Sequence, residues 1–371
     1  MQASDVSWLT TQLLWAAFFL SLIFGAIAQR THFCTMGAVS DVVNMGDWTR
    51  MRQWGLAIGV AMIGFAALAY GGLIDPTKTL YSSSRWLWLS AAVGGALVGF
   101  GMVLASGCGS KTLVRVGGGS LKSLIVFVVM GLAAFATLKG ITAVLRVATV
   151  DKVALDFAAG VSLSQWAAAA LGVKPLLAGL VLGVLVGGSL VLWAVLRRDF
   201  RTADNLLAGI GMGAVIVAMW WVSGSLGYVS EHPETLQEAF LATSSGRAES
   251  LSFVAPLAYT LDWFMFFSDK SKILTLGIVS VAGVIVGSAG YAMTSGTFRW
   301  EGFGGVEDVA NHLLGAMLMG VGGVTAMGCT VGQGLSGIST LSATSIVAVV
   351  AIVTGAVAAL RYQIWRVDHV A

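Results

Sequence analysis

Long apolar runs, about nine of them at the roughly 20-residue length that a bilayer-spanning helix needs, constrain this fold more than any other feature. Only 11% of the 371 residues are charged, against about 25% in soluble domains. We therefore expect an all-α polytopic membrane protein with a single integral membrane domain over 1–371. The predicted spans are 12–28, 54–74, 87–106, 121–147, 175–196, 205–226, 272–293, 309–327 and 340–361.

Composition narrows the class further. The runs lack the short alternating pattern of an outer-membrane barrel. The 48 glycines favour close approach of helices, because small residues let membrane helices pack tightly. The net charge of +3 is mild and the chain has no basic tail, so we expect a lipid bilayer around the protein and no nucleic-acid partner.

Basic residues of the short loops indicate the orientation in the membrane. Cytoplasmic loops carry an excess of Lys and Arg, and with nine spans these residues share one side. We therefore predict a multi-pass protein of the cell inner (cytoplasmic) membrane with its N-terminus outside and its C-terminus in the cytoplasm. The segment 251–267 leaves an ambiguity, since a span there would invert all that follows. The basic residues are Arg30, Arg50, Arg52, Lys111, Arg115, Lys122, Arg197, Arg198, Arg201, Arg299, Arg361 and Arg366.

Two glycine-rich loops, each holding one cysteine, indicate an internal repeat. ASGCGSKTLVRVGGGS at 105–120 contains Cys108, and AMGCTVGQGLSG at 326–337 contains Cys329. Aligning these cysteines also aligns glycines in the preceding spans. The implied order is four spans, one connector and four spans in an inverted repeat, a common transporter plan with substrate bound where the halves meet. The predicted parts are a first half at 1–147, a connector with one span at 148–204, and a second, inverted half at 205–371.

The two cysteine loops break their helices, because glycine in a helix costs about 1 kcal/mol relative to alanine. Inside a membrane a broken helix is tolerated only where it is buried in protein or lines a cavity. We expect both loops to enter the membrane, one from each side, with free backbone N–H groups and helix N-termini that suit an anion. The predicted anion-binding residues are Gly107, Gly109, Ser110, Lys111, Gly328, Thr330, Gln333, Arg30 and Arg115.

The three cysteines allow several interpretations. Cys34, in QRTHFCTMGAVSD at 29–41, joins Cys108 and Cys329, and free cysteines are often just small buried residues. A copper or zinc site is disfavoured by the basic surroundings. A redox or sulfur-relay enzyme stays open, since cations and helix N-termini lower thiol pKa values. The remaining interpretation is protonated thiols that contact a soft anion during transport.

The same segments resemble the YeeE/YedE family of membrane proteins, which includes thiosulfate uptake transporters. The resemblance is carried by QRTHFCTMGAVSD, GMVLASGCGSKTLVRVGGGS, MTSGTFRW and GGVTAMGCTVGQGLSG, and it covers nearly the whole chain. Ser106 and Met327 stand where the family commonly has glycine, and Lys111 stands where a small residue is usual.

The resemblance implies relay of thiosulfate, or of a related sulfur or selenium species, between Cys34, Cys108 and Cys329 along a central pathway. It also implies a small TusA-like sulfur-carrier protein as a cytoplasmic partner. We therefore expect a transporter without catalytic residues, cofactor or metal site. A membrane sulfurtransferase or redox protein that forms cysteine persulfides is the alternative, and a metal transporter is a weaker one.

Overall fold

A computed structural model describes residues 3–157, 160–269 and 271–370 of the chain. Residues 1, 2, 270 and 371 of the predicted halves and 158–159 of the predicted connector lie outside the described residues. The described part is built almost entirely from helices. They are α1 (Ala3–Thr31), α2 (Thr35–Met45), α3 (Thr49–Tyr70), α4 (Trp88–Leu104), α5 (Gly109–Gly117), α6 (Leu121–Lys139), α7 (Ile141–Ala148), α8 (Leu163–Leu171), α9 (Pro175–Val195), α10 (Ala203–Leu206), α11 (Met212–Trp221), α12 (Val254–Met265), α13 (Leu276–Thr294), α14 (Val306–Thr325) and α15 (Ala343–Val370).

Extended structure in the described residues is limited to two antiparallel pairs of two-residue strands. The first pair joins the segment before α4 to the predicted connector, and the second lies between α11 and α12. The strands are β1 (Arg85–Trp86) with β2 (Leu155–Asp156), and β3 (Tyr228–Val229) with β4 (Ala239–Phe240).

The helices confirm an all-α polytopic membrane protein. Eight helical segments of the described chain are long and apolar enough to cross a bilayer. They correspond to the predicted spans except 309–327, which falls on α14, a 20-residue helix whose first turn contains Glu307 and Asp308. Helix α14 packs between α4 and α6, so most of its surface faces protein rather than lipid. Its sequence can therefore be less apolar than that of a peripheral span.

The ambiguous segment 251–267 does not cross the membrane alone. Its helix α12 has 12 residues, which at 1.5 Å per residue is about 18 Å, well short of the roughly 30 Å hydrocarbon core. Phe253 and Val254 at its start lie beside the cysteine loops. Asp262 near its end pairs with Lys272, with 2.5 Å between carboxylate oxygen and Nζ. The chain thus enters as far as Phe253 and returns to the same face.

Glycine contacts between α4 and α14 are reciprocal. A Cβ added to Gly94 would lie 2.6 Å from the carbonyl oxygen of Gly322, and one added to Gly322 would lie 2.6 Å from that of Gly94. Gly101 and Gly315 oppose each other in the same way, at 2.7 and 2.6 Å. Gly94 corresponds to Gly315, and Gly101 to Gly322, when Cys108 is aligned with Cys329. Such isologous contacts are what a twofold relation between two halves produces. They support the division into inverted halves, which stays a prediction.

The bundle has two distinguishable faces. One, here called the basic face, holds the ion pairs Arg30–Asp204, Lys122–Glu301 and Arg366–Glu307 near the C-terminal end of α15. The other, here called the loop face, holds both strand pairs and a bridge between Thr79 and Ala248. The C-terminal ends of α1 and α15 are both assigned to the basic face by their ion pairs, and which face is cytoplasmic stays a prediction.

Candidate functional site

Each cysteine follows the same backbone turn. His32, Ser106 and Met327 lie two residues before Cys34, Cys108 and Cys329, with φ of 52°, 55° and 56°. A non-glycine residue with positive φ is uncommon and marks a constrained position. In all three places the turn ends one helix and the chain starts another: α2 after Cys34, α5 after Cys108, and a helical segment that includes Gly332–Gly337 after Cys329.

The turns before Cys108 and Cys329 are stabilised by matching backbone hydrogen bonds. The amide of Gly107 donates to the carbonyl of Met102 at 2.8 Å, and the amide of Gly328 donates to that of Gly323 at 2.8 Å. This six-to-one bond is the mark of a Schellman helix end, where glycine usually occupies the left-handed position. In this chain Ser106 and Met327 occupy that position, so each takes a positive φ without being glycine.

Replacing Ser106 with valine should destabilise the protein, because a β-branched side chain fits a positive φ poorly. We expect the free energy of unfolding to fall by about 1–3 kcal/mol, while Ser106→Gly leaves it unchanged or raises it. Denaturant unfolding of the detergent-solubilised protein measures both changes. Equal losses of unfolding free energy in the two variants would contradict this explanation. They would show that the positive φ of residue 106 does not determine the stability of the turn.

Cys34 and Cys108 lie side by side. Each is the N-cap residue of its helix, α2 and α5 respectively, and the two thiols are within hydrogen-bonding reach of each other. Cys34 Sγ accepts from the amide of Gly37 at 3.4 Å. Cys108 Sγ lies 3.2 Å from the hydroxyl of Ser110. Their exposed fractions are 8% and 1%, so both are closed off from either face.

Cys329 lies on the other side of Cys108. The backbone amides of Phe253, Val331 and Gly332 lie near its sulfur, and 1% of the residue is exposed. The neighbouring Thr330 places its hydroxyl beside the Cys108 sulfur. We call Cys34, Cys108 and Cys329 together the thiol centre, with Cys108 in its middle.

Two buried polar atoms beside the thiol centre are available to bind a ligand. The hydroxyl of Thr330 and Oε1 of Gln333 are buried and find no well-formed hydrogen bond among the described residues. The other end of the Gln333 amide donates to the carbonyl of Ala326 at 2.5 Å, which fixes the side chain over the loop at Gly328. A buried polar group without a partner costs about 1–3 kcal/mol, so a bound molecule that supplies the missing bonds is favoured.

A cavity of about 590 Å³ lies between the thiol centre and the basic face. Its cations are Lys111, Arg115 and Arg299, and Lys111 and Arg115 form no ion pair with the described carboxylates. The side chain of Lys111 packs over Gly107, where an added Cβ would lie 3.3 Å from Lys111 Cγ. The cavity therefore presents unpaired positive charge on the basic-face side of the segment that follows Cys108.

Glu301 is the acidic residue of this cavity wall. Lys122 holds its carboxylate, with 2.8 Å between Nζ and Oε1. That hydrogen bond lowers the pKa of Glu301, so the carboxylate stays ionised and its charge is offset by Lys122. The cavity is cationic overall.

The structure brings most of the predicted site residues together but not Arg30. Gly107, Gly109, Ser110, Lys111 and Arg115 belong to the segment around Cys108. Gly328, Thr330 and Gln333 surround Cys329. Arg30 instead forms an exposed ion pair with Asp204 on the basic face, with 2.9 Å between Nε and Oδ1. Its predicted contact with an anion gains no support from this position.

Sequence reasoning missed the return segment that starts at Phe253. The backbone amide of Phe253 lies near the Cys329 sulfur, and Val254 packs against Gly109 with 3.7 Å from its Cγ2 to an added Cβ. In the predicted repeat, Phe253 and Val254 would be the counterparts of Phe33 and Cys34. The matching phenylalanines were the available signal, but the two segments share little else.

The fold and the site define a class of protein. It is a multi-pass membrane protein with three buried thiols at broken helices and a cationic cavity beside them. The chain belongs to the sulphur transport (YeeE/YedE) family, whose model matches residues 30–358. It is similar to the thiosulfate transporter TsuA of Escherichia coli (strain K12), with 26% identity over 325 residues that cover 84% of each chain. It is also similar to the thiosulfate transporter TsuA of Spirochaeta thermophila, with 26% identity over 335 residues, 88% of this chain and 92% of that one.

Proposed function

We propose that this protein takes up thiosulfate or a similar small sulfur-containing anion, and that three protonated thiols contact the anion in turn. The observation that carries the proposal is the placement of all three cysteines at helix N-termini in one buried group. Membership of the sulphur transport family and similarity to two thiosulfate transporters support it.

Neutral thiols suit this task for an electrostatic reason. A thiolate would repel a doubly charged anion, whereas a protonated thiol is a weak donor and a polarisable contact. Backbone amides at the starts of α2 and α5 and around Cys329 add partial positive charge. An anion at this site thus replaces part of its hydration shell without meeting a like charge.

The basic face is, in this proposal, the cytoplasmic side of the inner membrane, and the loop face is the outer side. The excess of Lys and Arg on the basic face supports this orientation. An anion would then pass Cys329 first, Cys108 next and Cys34 last, and would leave through the cationic cavity. A TusA-like carrier that removes sulfur on the cytoplasmic side is part of the same proposal. The carrier would bind at the basic face, where the cationic cavity opens.

The contact between Cys34 and Cys108 is also compatible with a second function, that of a membrane sulfurtransferase. In that reaction the Cys108 thiolate attacks the outer sulfur of thiosulfate, the sulfur–sulfur bond breaks, and sulfite leaves with the electron pair. Cys108 is left as a persulfide. The nearby Cys34 thiolate then attacks the outer sulfur of that persulfide, the sulfur–sulfur bond breaks, and the Cys108 thiolate is released. We favour transport, because protonated thiols do not repel an anion, whereas the thiolates that a sulfurtransferase needs would repel it.

Uptake of sulfur-labelled thiosulfate into proteoliposomes tests the proposal. We expect saturable uptake that unlabelled thiosulfate competes for and sulfate does not, because sulfate lacks the polarisable terminal sulfur. Protein-free vesicles are the control. Equal competition by sulfate, or no uptake into sealed vesicles, would contradict the proposal.

Mass spectrometry of the protein after turnover separates the two functions. Transport through neutral thiols leaves the protein mass unchanged. A sulfurtransferase accumulates protein heavier by one sulfur atom, lost on reduction, with sulfite released in equal amount.

A further inference from the structure

A second cavity, of about 200 Å³, opens on the loop face. Its wall extends from Ser244 and Glu249 in the loop before α12 to Met327 and Gly328, directly before Cys329. We call it the outer cavity. A solute in it would be next to the first thiol of the proposed pathway.

The outer cavity has three titratable side chains among its described lining residues, those of Arg146, Glu249 and Tyr259. Arg146 brings positive charge from α7, partly offset by Asp151 at 3.4 Å between Nε and Oδ2. Tyr81, whose hydroxyl donates to the carbonyl of Gly332, also interacts electrostatically with Glu249. The net charge of the cavity therefore depends on whether Glu249 carries a proton.

Glu249 is held in place by neutral groups. Its carboxylate accepts from the amide of Ser244 at 3.2 Å and from the hydroxyl of Ser245 at 2.9 Å, and its own amide donates to the hydroxyl of Ser223 at 3.1 Å. It forms no ion pair within the described part of the chain. Two other cations of the loop face are engaged elsewhere, since Arg247 donates to the carbonyl of Ser82 and Lys78 pairs with Glu238.

This environment favours a proton on Glu249 near neutrality. Burial raises the pKa of Glu249 to about 7 despite the bonds from Ser244 and Ser245. A carboxyl with that pKa is neutral in mildly acidic solution and charged in mildly alkaline solution. Small changes of outer pH would then change the charge of the cavity.

We propose that the outer cavity is the entry site for the transported anion, that Arg146 attracts the anion there, and that Glu249 admits it only when protonated. The inference rests on the proposed function and adds the residues that control entry. With Glu249 protonated, the positive charge of Arg146 at least balances the carboxylate of Asp151, so the cavity has no net negative charge. With Glu249 ionised, two carboxylates, those of Glu249 and Asp151, oppose one guanidinium, and an anion is repelled.

Labelling of a cysteine placed in the wall tests entry without requiring transport. Ala255 lines the outer cavity and is partly exposed, so we would introduce Ala255→Cys in a protein with serine at positions 34, 108 and 329. The probes are two methanethiosulfonates of similar size, one bearing a sulfonate and one neutral. Both probes react with the same thiolate, so the pH dependence of its concentration cancels in the ratio of the two labelling rates.

With Glu249 present, the ratio of anionic to neutral labelling should rise on the order of tenfold as the pH falls through about 7. Glu249→Gln should make the ratio high at every pH, and Arg146→Gln should make it low at every pH. Glu238→Gln, which removes an exposed carboxylate of the same face, is the matched control and should keep the pH dependence. A flat ratio with Glu249 present, an unchanged pH dependence in Glu249→Gln, or no labelling by either probe would overturn the proposal.

Uptake by proteins with all three native cysteines provides the second measurement, in case the serine background fails to fold. At an outer pH above about 7, Glu249→Gln should take up thiosulfate several-fold faster than the unaltered protein, and below it the two should agree. Equal uptake across the whole range would overturn the role of Glu249. No uptake by any variant would instead contradict the proposed function, while the labelling ratio would still decide the question of entry.

Discussion

Cys108→Ala is expected to lower thiosulfate uptake by on the order of a hundredfold, because Cys108 lies between the other two thiols. The substitution leaves Cys34 without its neighbouring thiol and separates Cys329 from the rest of the pathway. It also removes the polarisable group that lies 3.2 Å from Ser110 and beside Thr330. The assay is uptake of sulfur-labelled thiosulfate into proteoliposomes with matched protein content.

A folding defect must be separated from this loss of transport. Removing one buried sulfur should cost about 1 kcal/mol of stability, so the variant should still purify as a folded protein. Ser288→Ala is the matched control: Ser288 is equally buried in α13, its hydroxyl donates to the carbonyl of Ile285 at 3.0 Å, and it lies outside the thiol centre. We expect it to lose similar stability and to keep uptake.

Cys108→Ser distinguishes the two properties of the thiol. A hydroxyl keeps a donor at this position but is less polarisable and more strongly hydrated. Uptake near the level of the alanine variant would assign the role to sulfur, and uptake near the unaltered level would assign it to hydrogen bonding. Normal uptake by both variants would contradict passage through the thiol centre.

The fold was predictable from the sequence because hydropathy adds over about 20 residues and tolerates local error. The boundaries of α3, α9 and α13 lie within a few residues of predicted spans. The cysteine loops were also predictable as helix breaks, since glycine next to each cysteine disfavours a continuous helix.

Other features depended on contacts that no local pattern encodes. Arg30 is adjacent to the site in sequence, but its partner Asp204 is 174 residues away, so only the packing of α1 against the start of the sixth span shows where its charge goes. Glu249 lies in a loop of ordinary polar composition, and its position in the wall of the outer cavity beside Arg146 of α7 and Tyr259 of α12 is set by long-range packing. The left-handed turns at Ser106 and Met327 were concealed because neither residue type favours positive φ.

Gly99→Leu is expected to cause the largest loss of stability. A Cβ at Gly99 would lie 2.0 Å from the carbonyl oxygen of Ile352 in α15, so a side chain there would force apart the backbones of α4 and α15. Overpacking alone costs about 1–3 kcal/mol, and a clash with backbone exceeds that range because no rotamer can relieve it. We expect little folded, monodisperse protein in detergent by size-exclusion chromatography, and a lower thermal unfolding midpoint for what remains.

Gly188→Leu is the matched control, because an added Cβ on Gly188 in α9 meets no described atom within 4 Å. Both changes add the same apolar side chain to a membrane helix, so a difference between them reports the contact with α15. Gly320 is the counterpart of Gly99 in the predicted repeat, and its Cβ would lie 2.5 Å from the carbonyl oxygen of Met130 in α6. Gly320→Leu should therefore be nearly as damaging as Gly99→Leu. Tolerance of leucine at Gly99 would contradict the close packing, and damage at Gly99 with tolerance at Gly320 would contradict equivalent packing in the two halves.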